Sequence, residues 1–203
     1  MNEAALSKGE VTRRNIIAAA CELFSTQGYH GTSMRQIARK ANIALSGLYN
    51  HFPGKDQVFQ AVFLEYHPYH EILPALLNAK GETVEEVLHA ALIQMNRILE
   101  TNQKFLNLLF IEIVEFDSLH ANELFAAIFP QIAQIAGQIY QQHQDRLRPI
   151  TMPIFIRSFL VLFFAYYITE IVFAPRAPDI FREGALDNLL DVYLHGVLKN
   201  IND

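Results

Sequence analysis

Residues 41–52 read ANIALSGLYNHF. Leu48 and Phe52 stand four apart, a spacing that anchors one side of a helix in a core. At about 100° per residue, Ser46 and Asn50 then fall on the opposite side, flanked by Gly47 and Tyr49. That outer face is small and polar, so a helix backbone can sit deep in a groove. Asparagine can bond adenine through two hydrogen bonds, serine can bond several bases, and an apolar group such as Leu45 can meet a thymine methyl. The same small residues could equally pack against another helix, and spacing alone leaves both uses open. The stretch holds no Lys or Arg. Attraction to a polyanion would have to come from its neighbours, namely Arg13, Arg14, Arg35, Arg39, Lys40 and Lys55.

The elements around this stretch are helical by pattern. Ile16, Ile17, Ala20, Leu23 and Phe24 recur at three- and four-residue steps and end at Gly28, which marks a first helix. Ser33 and Gln36 have the spacing of a capping box that starts a second, with Ile37, Ala38 and Ala41 as its buried stripe. Asn42 can take a left-handed turn before the quoted stretch begins. Two short helices braced by a longer one describe a helix-turn-helix. Pro53-Gly54-Lys55-Asp56 breaks the chain and restarts it as a longer helix, with a kink expected at Pro68. Beyond Gly81 broad apolar faces predict helices over 84–100, 105–116, 124–143, 154–173 and 186–201, and no two-residue alternation competes. The fold class is all-α.

Thr32-Ser33-Met34-Arg35-Gln36-Ile37-Ala38-Arg39-Lys40-Ala41-Asn42-Ile43, then Gly47-Leu48-Tyr49-Asn50-His51-Phe52 and Lys55, resembles the N-terminal domain of tetracycline-repressor (TetR) family regulators. The resemblance covers the first quarter to third of the chain; the rest matches in helicity and length alone. It implies a helix-turn-helix head over 1–54, followed by a larger helical ligand-binding and dimerisation body over 55–203. It implies that Ser33 offers its hydroxyl or backbone N–H to a phosphate, that Tyr49 and His51 touch the DNA backbone, and that Lys55 pairs with a phosphate. Base reading falls to Leu45, Ser46, Gly47 and Asn50. Two positions depart from the family habit. Asn42 stands where Gly is usual, and Ala44 where Ser commonly caps the reading helix, a loss worth about 1 kcal/mol.

The apolar helix 154–173 and the amphipathic 186–201 carry more apolar surface than one small body can hide. Paired across a two-fold axis they would form a four-helix homodimer interface, the arrangement that the resemblance implies. The middle helices could enclose a mostly apolar cavity with a few polar groups fixing ligand orientation. Candidates are His67, His70, Asn96, Glu112 and Tyr167 as polar groups, and Phe63, Tyr66, Leu109, Phe116 and Phe163 as wall, although simple core packing suits each aromatic too. A buried Glu112 would favour a cationic ligand, but an interhelical ion pair suits it as well. His67 and His70 are placed to share a helix face, yet no third ligand completes a metal site. The expected partners are a double-stranded DNA operator, a small-molecule effector and a second copy of the chain, with no metal and no cofactor. By the family's commoner habit the protein would repress.

Composition narrows the alternatives. Through Glu65 the chain carries seven Lys and Arg against five acids; the remainder carries nine against sixteen, and together they make the net −5. A mildly basic head on an acidic body hints at a polyanion partner for the head alone. The single cysteine, Cys21, excludes an internal disulfide and fits a reducing cytoplasm. Residues 154–173 approach the length of a membrane span, but Arg157, Ser158, Thr169 and Glu170 interrupt them, and burial between protein helices is the expectation. No nucleotide-binding, nucleophile-elbow or zinc-protease signature occurs. Lys55 has Tyr49 six residues before it and Asp56 after it, which rules out a P-loop. No enzyme is therefore expected. The alternative is a helical protein-interaction module without sequence-specific DNA binding.

Overall fold

The computed structural model describes residues 7–172, 176–179 and 183–197. Phe173 and residues 198–201, assigned above to the last two helices, lie outside the described residues. The described chain is helical: α1 Lys8–Gln27, α2 Met34–Lys40, α3 Leu45–His51, α4 Lys55–Tyr66, α5 Tyr69–Asn78, α6 Val84–Thr101, α7 Gln103–Glu115, α8 Leu119–Gln142, α9 Met152–Val172 and α10 Ala185–Val197. It divides into two compact units. One runs to Pro68 and takes up Thr101–Ala127; the other comprises Tyr69–Glu100 and the chain from Ile128 onward. The division by compactness thus differs from the boundary expected between residues 54 and 55.

In the first unit, Ser7 and Glu10 close a capping box on α1, and Gly28 ends that helix at φ 75. Ile16, Ile17, Ala20 and Phe24 of α1 meet Ile37 of α2, Leu48 of α3 and Val58, Phe59 and Phe63 of α4 in one buried core. Apolar spacing alone accounts for this. The end of α7 joins through Phe116, whose ring stacks on Phe59 at 4.6 Å. Glu112 is fully buried and serves as the cap of α8. Its Oε1 accepts from the backbone N–H groups of His120 (2.6 Å) and Ala121 (3.0 Å), while Oε2 faces His120 Nδ1 at 2.9 Å. Between the two helices Asp117 and Ser118 both adopt left-handed backbone, at φ 49 and 61.

The expected kink at Pro68 is instead a break. Pro68 has no N–H to donate and pushes its predecessor out of the helical region, so His67 is extended at ψ 124 and α4 stops at Tyr66. His67 and His70 therefore do not share one helix. Two other prolines, Pro74 and Pro130, are accommodated inside helices.

In the second unit α6 buries Val87, Leu88, Ala91, Leu92, Met95 and Leu99, and α9 buries Phe155, Ile156, Phe159 and Phe163. Helices α9 and α10 pack together, with Tyr193 Oη 3.3 Å from Ser158 Oγ. By length and composition Met152–Glu170 could cross a membrane, but one side of it is core. Its other side leaves Ile154, Val161 (60% exposed) and Phe164 open, and α10 leaves Leu189 and Val192 (70%) open.

Candidate nucleic-acid interface

The turn between α2 and α3 is set by local chemistry. Ser33 Oγ accepts from the Gln36 N–H, and Gln36 Oε1 accepts from both the N–H (2.8 Å) and the hydroxyl (2.7 Å) of Ser33. The predicted capping box is therefore complete, and it spends both donors of Ser33 on Gln36. Asn42 takes the left-handed conformation at φ 56, which asparagine tolerates better than most side chains. The chain then turns so that Ile43 N–H reaches the Ala38 carbonyl at 3.0 Å. Ala44 precedes α3 without any side-chain cap, and the helix starts at Leu45.

Helix α3 is anchored as its spacing predicts. Leu48 and Phe52 are buried, whereas Ser46, Tyr49 and Asn50 are exposed and Leu45, Gly47 and His51 are half-buried. A Cβ added at Gly47 would meet nothing within 4 Å, so this glycine is not required by packing. Beside the turn a shallow hollow is lined by Arg35, Arg39, Asn42, Ile43 and Leu45 among others. Arg13 holds its guanidinium 5.0 Å from the Phe52 ring centroid. Lys40 pairs with Glu22 at 2.5 Å, and that hydrogen bond holds the Glu22 carboxyl below its usual pKa.

Lys55 opens α4 beneath the start of α2. Its Nζ donates to the carbonyls of Tyr29 (2.9 Å) and Thr32 (3.1 Å) and lies 4.0 Å from the Tyr29 ring centroid. The Tyr29 hydroxyl donates to Asp56. Burial first, and that bond second, push the Tyr29 phenol well above its ordinary pKa. His30 Nε2 meets Glu115 of α7 at 2.6 Å. Gly31 closes the loop where a Cβ would strike the Gln27 carbonyl. Tyr29, His30 and Asp56 were not among the candidates from sequence. Their partners lie 26 to 85 residues away along the chain, and no local pattern announces them.

Residues 16–62 match the family of bacterial regulatory proteins described as tetR. Over those residues the chain carries a tetR-family domain. The chain is 35% identical over 82 residues to the HTH-type transcriptional regulator HbdR of Aromatoleum sp. (strain CIB), covering 40% of this chain and 36% of that one. It is 44% identical over 63 residues to the regulator SrpR of Pseudomonas putida, 30% of each chain. The matched region thus spans about a third of these curated relatives. Two solved structures share the fold over nearly the whole chain. NalD, the secondary repressor of the MexAB-OprM multidrug efflux pump in Pseudomonas aeruginosa, superposes with a TM-score of 0.69 at 23% identity, covering 95% of this chain and 100% of that one. A TetR family transcription regulator from Marinobacter aquaeolei VT8 gives 0.63 at 14% identity, covering 94% and 97%. The likeness to these two shows the all-α architecture of this chain, a helix-turn-helix head with a helical body.

The ten ligand candidates fall in both units. Phe63, Tyr66, His67, Leu109, Glu112 and Phe116 belong to the first, and His70, Asn96, Phe163 and Tyr167 to the second. Phe63 is core, with its ring 5.8 Å from that of His67. Leu109 and Tyr66 are half-buried, and Phe116 and Glu112 serve the α7–α8 corner as described. In the second unit His70 is exposed beside the Tyr69 ring, and Asn96 donates to Glu100 at 2.9 Å. Tyr167 reaches the Leu99 carbonyl at 3.4 Å, and Phe163 stacks on the Tyr167 ring. An apolar cavity lies in the second unit, bounded by α5, α6, α8 and α9, and none of the ten lines it.

Proposed function

We propose that this tetR-family chain is a cytoplasmic, ligand-responsive transcriptional regulator, and a repressor. It binds a palindromic DNA operator as a homodimer and leaves it when a small, mostly apolar molecule occupies the body. Residues 1–54 serve as the DNA-binding part and 55–203 as the effector and dimer part. The observation that carries the reading is α3. A short helix anchored by Leu48 and Phe52 presents Ser46 and Asn50 to solvent, directly after a left-handed turn at Asn42.

In this reading Leu45, Ser46, Gly47 and Asn50 meet base edges, while Ser33, Tyr49, His51 and Lys55 meet phosphates. The Lys55 ammonium has three N–H donors and spends two on carbonyls, which leaves one to point at a phosphate. Arg35 and Arg39 are exposed along the hollow beside the turn, and they supply non-specific attraction. The open apolar faces of α9 and α10 support a two-fold pairing of those helices, since exposed valines and a phenylalanine cost hydration until a partner covers them. NalD acts as a repressor, and that supports repression here. Effector binding works only through unequal affinity for the DNA-competent and DNA-incompetent arrangements.

Selection of bound duplexes from a random pool, using the full chain, tests the reading. The expected outcome is an inverted repeat whose half-sites lie about one helical turn apart, roughly 34–36 Å, or a multiple of it. Recovery of no sequence above background would remove the operator reading.

A further inference from the structure

Helix α4 begins at a conflict of charge. Gly54 offers no side chain to cap it, and Asp56 is the acidic residue of its first turn. A carboxylate there suits the partial positive charge of a helix start. Its neighbour Lys55 is the cation proposed above to meet a phosphate. The flexible stem of a lysine lets its ammonium reach a carboxylate left free beside it. A phosphate arriving at such a pair meets no net positive charge.

Tyr29, in the loop between α1 and α2, holds both groups. The Lys55 ammonium stands 4.0 Å from its ring centroid and is tied to the carbonyls of Tyr29 (2.9 Å) and Thr32 (3.1 Å). The Asp56 carboxylate accepts from its hydroxyl. Ring face and hydroxyl are separate parts of one rigid side chain, so cation and anion are given different partners. The ring is fixed in turn by Phe24, Phe59 and Phe116, with centroids 5.7, 5.8 and 4.9 Å away. Burial, and then the bond to Asp56, push the phenol well above its ordinary pKa, so it keeps its proton and remains a donor. A second carboxylate near Tyr29, that of Glu115, is already met by His30 Nε2 at 2.6 Å.

We propose that Tyr29 is a positioning residue for DNA binding, whose hydroxyl holds Asp56 away from Lys55 and so keeps the remaining ammonium N–H available to a phosphate. The inference rests on the phosphate role given to Lys55 above. It needs no contact between Tyr29 and DNA. Packing alone asks only for an aromatic ring at this position, and phenylalanine would serve.

The salt dependence of binding to a random-sequence duplex, measured with the full chain, tests it. Phosphate contacts are independent of sequence, and each one lost flattens the slope of log K against log salt by about 0.9. Lys55→Ala should flatten the slope by that amount per protomer. Tyr29→Phe keeps the ring and should flatten it nearly as much, since Asp56 then pairs with Lys55. Adding Asp56→Asn to Tyr29→Phe should restore the wild-type slope, because an amide does not neutralise the ammonium. The same addition to Lys55→Ala should restore nothing.

A wild-type slope in Tyr29→Phe beside a flattened one in Lys55→Ala would overturn the inference and leave phosphate contact by Lys55 standing. Failure of Asp56→Asn to restore the Tyr29→Phe slope would mean plain structural damage and would overturn it too. Equal recovery in the Lys55→Ala protein would assign the effect to bulk charge, with the same result. An unchanged slope in Lys55→Ala would instead remove the phosphate role of Lys55, and the inference with it.

Discussion

Two surfaces of this chain are exposed for opposite reasons. The outer face of α3 shows water Ser46 and Asn50, groups that water solvates well. The outer faces of α9 and α10 show it Ile154, Val161, Phe164, Leu189 and Val192, groups that water solvates poorly. The first surface is stable alone, and its meaning lies in which hydrogen bonds it can exchange. The second is costly to hydrate, and in the proposed homodimer a partner covers it. A polar reading face is therefore recognised by the identity and order of its residues, and an association face by area and hydropathy.

The two faces differ in what each needs from the side chains beneath it and at its surface. The largest effect is expected from Leu48→Ala, which empties the buried anchor of α3 and should cost roughly 2–5 kcal/mol in urea unfolding. A smaller loss would mean that α3 is held by something other than its inward side. Val161→Glu should leave the isolated protomer intact, since this valine is 60% exposed. Across a dimer interface it would bury a charge at about 3 kcal/mol, and sedimentation should then show association weakened about a hundredfold. Undiminished association would place the interface elsewhere. Asn50→Ala should barely move the unfolding midpoint yet relax preference at one base pair of each half-site by about 1–3 kcal/mol, read by competition with substituted duplexes. The smallest change is Gly47→Ala. It should stabilise α3 by about 0.5–1 kcal/mol, because a helical glycine is entropically costly and the added methyl meets open space. DNA binding should nonetheless weaken, because that open space is where the groove would lie.

How much of this was legible in the sequence depended on the distance between partners. Ser33 and Gln36 are three residues apart, so their capping box could be read directly, as could the left-handed turn at Asn42 and the anchoring of Leu48 and Phe52. The missing cap at Ala44 left the start of α3 open by one residue, and the structure puts it at Leu45. Helix α8 starts at Leu119, five residues before the apolar pattern suggests, because its cap comes from Glu112 on the preceding helix. Such a cap has no local signature. The same applies to the Tyr29–Asp56 and His30–Glu115 contacts. Polar residues near apolar stripes were natural candidates for ligand contact, yet Asn96, Glu112 and Tyr167 use their polar groups on the protein itself.

The closed capping box at Ser33 has a consequence for the energetics of association. Gln36 Oε1 already sits where it collects both donors of Ser33. In the proposed complex a phosphate oxygen would arrive as a replacement for this carboxamide, and contact there becomes an exchange of partners. In that complex Gln36 would be an internal competitor for the phosphate contact proposed at Ser33. Such a competitor would lower the grip on every duplex by the same factor, so the total affinity falls while the ratio of specific to non-specific binding, set by the residues that read bases, stays where it is.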